Sequence, residues 1–234
     1  MKRIAIIPAR GGSKRIPRKN IKYFSGKPII VYSIEAALQS GLFEEVMVST
    51  DDEEIAEVAR KHGANIPFFR SSATSTDFAT TAAVLTEVLG EYAAAGESFE
   101  YGCCLYPTAP LVKANSITEA FELLTNKRYD TVFPVVQYSY PIWRSLKMEK
   151  DGVLMNWPEH LLSRSQDLPA SFHDAGQFYW FNVMTFMEKQ KLFTNNSGAI
   201  ELNELEVQDI DNLMDWKLAE LKYNLMIKEG NNDG

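Results

Sequence analysis

The sequence is poor in the residues that build disulfide scaffolds and metal centres. It has only two cysteines, Cys103 and Cys104, and only three histidines. Neighbouring cysteines rarely pair with each other, so they indicate a buried strand in a reducing compartment. The histidines lack metal-ligand spacing, and no serine lies in a Gly-x-Ser-x-Gly turn. These absences argue against a zinc site and against a Ser-His-Asp hydrolase.

Long hydrophobic runs and an excess of positive charge are also missing. No stretch is long enough to span a membrane, and the N-terminus lacks the pattern of a signal peptide. We therefore expect a cytoplasmic protein with no membrane partner. The formal net charge of −7 argues against nucleic-acid binding, which requires a basic surface. Basic residues crowd only the start of the chain, which indicates a small anionic ligand.

The remaining pattern is an alternation of short apolar runs and helical segments, and we expect one domain over residues 1–234. The runs that predict strands are 3–8, 46–50, 64–69, 101–106 and 131–136. The segments that predict helices are 28–39, 52–61, 78–95, 114–126 and 212–228. This alternation predicts an α/β, Rossmann-like, mostly parallel sheet with helices on both faces. Ligands of such folds bind beyond the carboxyl ends of the strands.

The alternation stops near Tyr138. Residues 140–181 are rich in Pro, Trp, Ser and aromatic residues, and Asp151-Gly152 is a turn signal. We predict a small irregular or antiparallel element inserted at 140–181. Because a compact monomer should not contain so long a loop, we expect this element to form the interface of a homodimer.

The strongest chemical signal is the segment that follows the first predicted strand, residues 9–20, which we call the basic loop. It begins Ala-Arg-Gly-Gly-Ser-Lys and ends Arg-Lys-Asn. Paired glycines let backbone N–H groups turn toward a phosphate, and Arg and Lys neutralise its charge. The spacing is neither that of a Walker A loop nor that of a dinucleotide fingerprint. Composition alone leaves a solvated loop equally open.

A second signal is the Asp209-Ile210-Asp211 segment near the C-terminus. Residues two apart on an extended segment point to the same side, so the two carboxylates could share one divalent cation. Mg²⁺ prefers oxygen ligands and is usually held by one or two protein carboxylates together with phosphates. The alternative is that Asp211 caps the last helix and Asp209 is solvated.

The string from Pro8 to Asn20, PARGGSKRIPRKN, closely resembles the signature of the acylneuraminate cytidylyltransferases, which make CMP-sugars from CTP and nonulosonic acids. Residues 106–111, Tyr-Pro-Thr-Ala-Pro-Leu, resemble the second motif of the family, and residues 209–211 resemble the third. The resemblance covers essentially the whole chain. It implies a nucleotide-diphospho-sugar transferase fold, CTP and an acidic nine-carbon sugar as substrates, and Mg²⁺ on Asp209 and Asp211.

The resemblance also implies roles for individual residues. The catalytic residues would be Arg10, Lys14, Lys19, Asp209 and Asp211. The nucleotide would contact Ala9, Arg10, Gly11, Gly12, Ser13, Lys19, Asn20, Arg70 and Thr81. The sugar would contact Tyr106, Thr108, Arg144, Arg164 and Gln177. In the family, basic residues of the dimerisation element cross into the partner's site, which points to Arg144 and Arg164, although surface ion pairs explain these two residues equally well.

Another segment with an open alternative is the Ser75–Thr81 stretch that precedes the predicted third helix. The sequence alone assigns Thr76 or Asp77 as the N-cap of that helix, since both residue types are favoured there.

Two features favour pseudaminic acid as the sugar. The form of Lys14–Asn20 and the presence of Tyr106 are most like the family branch that acts on pseudaminic acid. Sialic acid enzymes commonly have Gln where this chain has Tyr106, and aromatic residues where it has Ser197-Gly198-Ala199. We expect an aromatic wall at the first position and more space at the second. N-acetylneuraminic, legionaminic and 3-deoxy-octulosonic acids remain alternatives, as does a catalytically silent nucleotide-binding protein.

Overall fold

The apolar runs form a seven-stranded sheet in the computed structural model, which describes residues 1–230. Two short hairpins lie outside it, β2 with β3 and β7 with β8. The strands are β1 (Arg3–Pro8), β2 (Tyr23–Phe24), β3 (Lys27–Pro28), β4 (Glu45–Ser49), β5 (Tyr101–Leu105), β6 (Thr131–Gln137), β7 (Leu146–Glu149), β8 (Gly152–Met155), β9 (Phe172–Asp174), β10 (Phe178–Asn182) and β11 (Ser197–Glu201).

Within the described residues, six α-helices connect and cover the strands. They are α1 (Ile29–Ser40), α2 (Glu53–Lys61), α3 (Thr81–Ala94), α4 (Ala114–Lys127), α5 (Val183–Lys189) and α6 (Leu213–Gly230). Within residues 1–230, none of the helices combines the length and the apolar character that crossing a membrane requires.

The order of the strands in the main sheet is β11-β6-β10-β5-β1-β4, and β9 lies beside the end of β6. Strand β1 pairs in parallel with β4 and β5, and β6 pairs in parallel with β11. Strand β10 runs antiparallel between β5 and β6. The predicted fold class, a mostly parallel sheet covered by helices, is confirmed.

Alternate side chains of each strand enter two different cores. Ala5 and Ile7 of β1 pack with α1, α2 and α4, whereas Ile4 and Ile6 pack with α3 and α5 on the opposite face. Cys103 and Cys104 divide between the faces in the same way, and both are free and fully buried. Burial raises the pKa of both thiols. The prediction that the cysteines are buried strand residues is confirmed.

Two local predictions are wrong. Residues 64–69 run beside β4 but form only one bridge, between Met47 and Asn65, because Pro67 has no N–H to donate to a ladder. Helix α3 begins at Thr81 rather than near Phe78, and its N-cap is Thr80, whose hydroxyl accepts a hydrogen bond from the backbone N–H of Ala83 at 3.1 Å. Neither Thr76 nor Asp77 is therefore the cap.

The element predicted at 140–181 is shorter in the structure. Strands β9 and β10 belong to the main sheet, and Trp180 of β10 is fully buried. The segment that leaves the sheet is residues 138–171, which we call the excursion. It contains the β7–β8 hairpin, with its turn at Lys150-Asp151, and three short 3₁₀ turns. The sequence does not set β10 apart, because its continuous aromatic run adjoins an aromatic-rich segment.

Candidate active site

A cavity of about 430 Å³ opens at the carboxyl ends of β1 and β5, where parallel α/β sheets bind their ligands. We call it the basic cavity, because six of its lining residues are in the basic loop. The lining residues are Pro8, Arg10, Ser13, Lys14, Arg15, Lys19, Asn20, Asp77, Pro107 and Thr108. The structure thus brings together Arg10, Ser13, Lys14, Lys19, Asn20 and Thr108 of the predicted site.

The first half of the basic loop is tied to the end of β4. The backbone N–H of Ala9 donates to the carbonyl of Ser49 at 2.9 Å, and the N–H of Gly11 donates to a carboxylate oxygen of Asp51 at 2.9 Å. Gly11 also lies against Asp52, since a Cβ added to Gly11 would come within 2.6 Å of Oδ2 of Asp52. The glycine is therefore required by this close approach, while Gly12 is exposed with open space around it.

Asn20 braces the loop from within. Its side chain is buried, and Nδ2 donates to the backbone carbonyl of Arg10 at 2.9 Å. A hydrogen bond of this kind fixes the carbonyl of one cationic residue and shapes the loop around the cavity. The predicted part of Asn20 in nucleotide binding thus has a structural component that the sequence did not reveal.

Two cations of the loop share one carboxylate. Arg10 and Lys14 both pair with Asp77, from the segment that precedes α3. Hydrogen bonds from Lys14 and Arg10 lower the pKa of the Asp77 carboxyl. The carboxylate occupies the position between two cations that a phosphate group would also favour. The sequence missed this role of Asp77, because its residue type equally suits a helix cap.

Lys19 points toward the C-terminal acidic segment. Its ammonium group donates to the backbone carbonyl of Ile210. Burial lowers the pKa of Lys19, while the nearby carboxylates of Asp211 and Asp209 act in the opposite direction. Ile210 itself is fully buried against α6 and the loop. The two carboxylates therefore flank a fixed residue and act on the same cation.

The start of α6 leaves the Asp211 carboxylate available. Oδ1 of Asn212 accepts from the N–H groups of Met214 and Asp215, and Oδ2 of Asp215 accepts from the N–H groups of Asp211 and Asn212 at 2.9 Å. Asn212 therefore caps the helix, and the alternative that Asp211 does so is wrong. The Asp211 carboxylate instead pairs with Arg15 at 2.7 Å, beside the basic cavity.

Comparison with known proteins decides the family. The sequence model of a family described as Cytidylyltransferase matches residues 4–224, nearly the whole chain. The chain belongs to the cytidylyltransferase family. The basic cavity and the Asp209–Asp211 segment are thus the candidate active site of a cytidylyltransferase.

Curated relatives cover the same length. A pseudaminic acid cytidylyltransferase of Campylobacter jejuni (strain 81-176) is 42% identical over 96% of this chain and 97% of its own. A CMP-N,N'-diacetyllegionaminic acid synthase of Legionella pneumophila is 33% identical over 94% of this chain and 95% of its own. The chain therefore covers nearly the whole length of both relatives.

Solved structures support the fold. A CMP:2-keto-3-deoxy-manno-octonic acid synthetase complexed with CTP has a TM-score of 0.70 at 17% identity, over 98% of this chain and all of its own. A 4-diphosphocytidyl-2C-methyl-D-erythritol synthase from Anaerococcus prevotii has a TM-score of 0.65 at 13% identity, over 95% of this chain and 98% of its own.

The carboxylates next to Lys19 suit a magnesium ion. Asp209 and Asp211 offer hard oxygen ligands on an extended segment beside the cations of the basic cavity. Among residues 1–230 no group of three or more His, Cys, Asp or Glu side chains is arranged to hold a metal. Two carboxylates are enough for Mg²⁺, which completes its coordination with water and substrate phosphates. The residues therefore fit the ion, and its binding stays a prediction.

Arg70 and Thr81 lie close to the candidate active site but face other groups. Arg70 is buried, and its guanidinium donates to the carbonyl and the hydroxyl of Ser49 at 2.6 and 3.0 Å. Burial lowers the pKa of Arg70. The hydroxyls of Thr81 and Tyr106 are 3.4 Å apart and join the start of α3 to the end of β5. Their predicted roles toward nucleotide and sugar remain predictions.

Four predicted sugar-binding residues do not line the basic cavity of the single chain: Tyr106, Gln177, Arg144 and Arg164. Gln177 is buried, and its amide donates to the backbone carbonyl of Glu206. Arg144 is exposed on a 3₁₀ turn of the excursion, and Arg164 is exposed and pairs with Asp167 at 2.6 Å. The pairing of Arg164 agrees with the surface ion pair that the sequence left open. Within the single chain the two arginines therefore lie outside the basic cavity.

A second cavity, of about 650 Å³, lies along β6, β9 and β11. Its lining residues include Phe133, Phe172, Phe193, Ser197, Gly198 and Ala199. Ser197, Gly198 and Ala199 border this open space, and its use by the sugar stays a prediction. At Gly198 itself the ring of Tyr129 takes the place of a side chain, since an added Cβ would be 2.4 Å from it. Aromatic side chains line this cavity although the sequence has none directly after Asn196.

Proposed function

We propose that the chain transfers CMP from CTP to the anomeric hydroxyl of pseudaminic acid and releases pyrophosphate. The observation that carries the proposal is the convergence of Arg10, Lys14 and Lys19 on one cavity beside the Asp209–Asp211 segment. The identity of 42% with a pseudaminic acid cytidylyltransferase over 96% of the chain supports the choice of sugar.

The reaction is a displacement at the α-phosphorus of CTP. The anomeric oxygen forms a bond to this phosphorus, the bond from the phosphorus to the bridging oxygen breaks, and pyrophosphate leaves with the electron pair. The proton of the hydroxyl passes to solvent. In such transfers the protein contributes mainly positioning and neutralisation of charge.

The cations of the basic loop supply the neutralisation. Arg10 and Lys14 exchange the carboxylate of Asp77 for the phosphates that become pyrophosphate. Lys19 is partly buried, and its charge acts more strongly than a solvated charge would. Asn20 holds the carbonyl of Arg10 and so keeps the loop in shape around the triphosphate. Magnesium held by Asp209 and Asp211 would supply further charge neutralisation at the phosphates.

Aromatic residues at and next to the second cavity favour the less polar sugar. The ring of Tyr106 lies 5.4 Å from that of Tyr179, which in turn lies 5.7 Å from Phe133 of the second cavity. Burial raises the pKa of both tyrosines, so they stay neutral. Pseudaminic acid carries a second acylamino group and a terminal methyl where sialic acid carries hydroxyls, and an apolar wall suits it better.

We further propose a homodimer in which the excursion forms the contact and brings Arg144 and Arg164 toward the partner's sugar. Exposed large apolar side chains on the excursion support this, since surfaces of this kind mark protein interfaces. They include Tyr140, Leu146, Met148, Leu161 and Leu162. A cytoplasmic location remains a prediction from the sequence.

The test of the reaction is pyrophosphate release measured by a coupled assay with CTP, Mg²⁺ and pseudaminic acid. We expect release that depends on all three and yields CMP-pseudaminic acid by mass spectrometry. Equal release without a sugar acid would indicate hydrolysis of CTP and would contradict the transfer. A Lys19→Met variant is the matched control, because it removes one cation of the cavity without changing the length of the side chain greatly.

A further inference from the structure

We propose that Arg18 and Asp52 form a positioning pair that holds the basic loop in place and directs Lys19 into the cavity. The inference rests on the proposed cytidylyl transfer and adds two residues that belong neither to the lining of the basic cavity nor to the acidic segment. It predicts that breaking the pair changes the use of CTP more than the stability of the fold.

The backbone of Arg18 shows that its position is imposed by contacts. Its φ is 54° and its ψ is 32°, the left-handed region that residues other than glycine rarely adopt. Such a conformation persists only where the surrounding structure over-determines it, and it is common at functional loops. The residue after it is Lys19, so the turn at Arg18 decides where that ammonium group points.

The contacts that impose this turn come from the start of α2. The guanidinium of Arg18 bonds to both carboxylate oxygens of Asp52, with 2.9 Å between Nη2 and Oδ1, and also pairs with Glu54. Asp52 is fixed in turn, because it is the N-cap of α2 and accepts from the N–H of Ile55 at 3.0 Å. The paired charges lower the pKa of Asp52 and raise that of Arg18.

Asp51 and Asp52, at the start of α2, also hold the other end of the basic loop. The N–H of Gly11 donates to Asp51, and Gly11 packs directly on the Asp52 carboxylate. The loop is therefore attached to residues 51 and 52 on both sides of its cationic tip. With both attachments made, Arg18 points outward to α2, while Lys19 and Asn20 point inward to Ile210 and Arg10.

Asp52→Asn isolates the ion pair from the helix cap. Asparagine caps helices about as well as aspartate, so α2 keeps its N-terminus, while Arg18 loses its two-pronged partner and keeps only the pair with Glu54. We expect the KM for CTP to rise about tenfold, because a small misplacement of a binding group is costly. The KM for the sugar acid should change less than about twofold, because the pair positions groups that bind CTP rather than the sugar.

Further variants separate positioning from mere stability. Arg18→Lys keeps the charge but loses the two-pronged geometry, so it should give an intermediate KM for CTP. The double variant of Arg18→Lys with Asp52→Asn should be no worse than Asp52→Asn alone, as expected for residues that act as a pair. Glu53→Gln is the matched control, because Glu53 lies in the same helical turn but pairs with Arg60. It should behave like the wild type.

Equilibrium binding of CTP by calorimetry, thermal unfolding and steady-state kinetics together decide the proposal. A weaker CTP affinity of Asp52→Asn and Arg18→Lys at an unchanged melting temperature supports the pair. An unchanged affinity in both variants, or an equal loss in Glu53→Gln, overturns it. Wild-type protein that binds CTP but releases no pyrophosphate with any sugar acid would contradict the proposed function instead, since CTP binding tests the pair without a sugar.

Discussion

The basic loop and the excursion differ in how far the single chain determines them. The loop is attached to β4, α2 and the segment before α6, and its cations converge on one cavity. The excursion is held mainly by its own contacts, such as the hydrogen bond from the Trp143 indole to the carbonyl of Pro169, and leaves Met148 and Leu162 more than four-fifths exposed. The contacts of the basic loop are complete in the monomer, whereas the excursion leaves an apolar surface exposed.

This contrast separates the two halves of the proposed reaction. The groups proposed to bind and neutralise the triphosphate lie within one copy of the chain. The basic residues proposed for the sugar, Arg144 and Arg164, lie on the exposed region and contact no part of the basic cavity. Binding of CTP should therefore depend on groups of one copy of the chain, and use of the sugar should depend on the association of two copies.

The largest effect is expected at the acidic segment, which belongs with the loop. Asp209→Asn and Asp211→Asn should each lower turnover about a hundredfold or more, because they weaken magnesium binding at the phosphates. Unfolding should be unchanged, since neither carboxylate caps α6. Turnover measured against Mg²⁺ concentration checks this. Near-normal magnesium dependence in either variant would remove that residue from the metal site, and Asp151→Asn, in the hairpin turn, is the control.

The next effect tests whether the excursion completes a partner's site. Arg164→Ala and Lys19→Met should each be nearly inactive. After subunit exchange at equal concentrations, a two-fold dimer with Arg164 acting across the interface should recover about a quarter of wild-type activity, because half of the dimers then hold one intact site. Lys19→Met mixed with Asp211→Asn is the control and should recover nothing, since both residues act within one chain. No recovery in the first mixture would contradict the comparison.

The association of two chains into a dimer can also be measured directly. The wild type should sediment as a dimer at micromolar concentration. Met148→Glu combined with Leu162→Glu should shift it to a monomer, because charges on the exposed apolar surface of the excursion oppose its burial. A monomeric wild type would leave the excursion without its proposed role.

A smaller effect is expected at Asp77, whose carboxylate pairs with two cations of the basic loop. Asp77→Asn should lower the KM for CTP about threefold, because Arg10 and Lys14 would no longer be held by a carboxylate that the phosphates must displace. The gain should fade at high salt, which screens exposed pairs. A raised KM would show that Asp77 positions the cations rather than competing with the substrate.

The smallest effect lies outside both regions and calibrates stability. Hydrogen bonds from Arg3 hold the pKa of Glu44 at about 2, below its ordinary value of 4.5. A lowered pKa contributes stability above the unfolded value, and this contribution is lost as the pH falls toward the folded value. Glu44→Gln should thus lower the melting temperature by about 2 °C at pH 7 and by nothing near pH 2. Glu97→Gln, which removes an exposed pair with Lys2, is the control.

Local patterns in the sequence were enough for much of the fold and for the cations of the site. The strands β1, β4, β5 and β6 are short apolar runs, and the basic loop follows the first of them as the resemblance required. Strand β10 was hidden because its aromatic run adjoins an aromatic-rich segment. Only the folded chain shows that β10 completes the centre of the sheet.

Local sequence patterns do not predict which residues pair when the two are far apart in the sequence. Nothing near Arg18 signals that it pairs with Asp52, and nothing near Asp77 signals that it collects Arg10 and Lys14. Gly198 shows the same limit, since its missing side chain makes room for Tyr129. Residue types predicted which chemistry the site performs, whereas packing decided which neighbours hold each group.

The most direct test of the account is a side-by-side measurement of kcat/KM for pseudaminic acid and N-acetylneuraminic acid with CTP. We predict a value for pseudaminic acid at least about tenfold higher, with some activity on sialic acid, because an apolar wall rejects added hydroxyls only weakly. A value for N-acetylneuraminic acid equal to or above that for pseudaminic acid would contradict the proposed substrate, while the cytidylyltransferase reaction itself would stand.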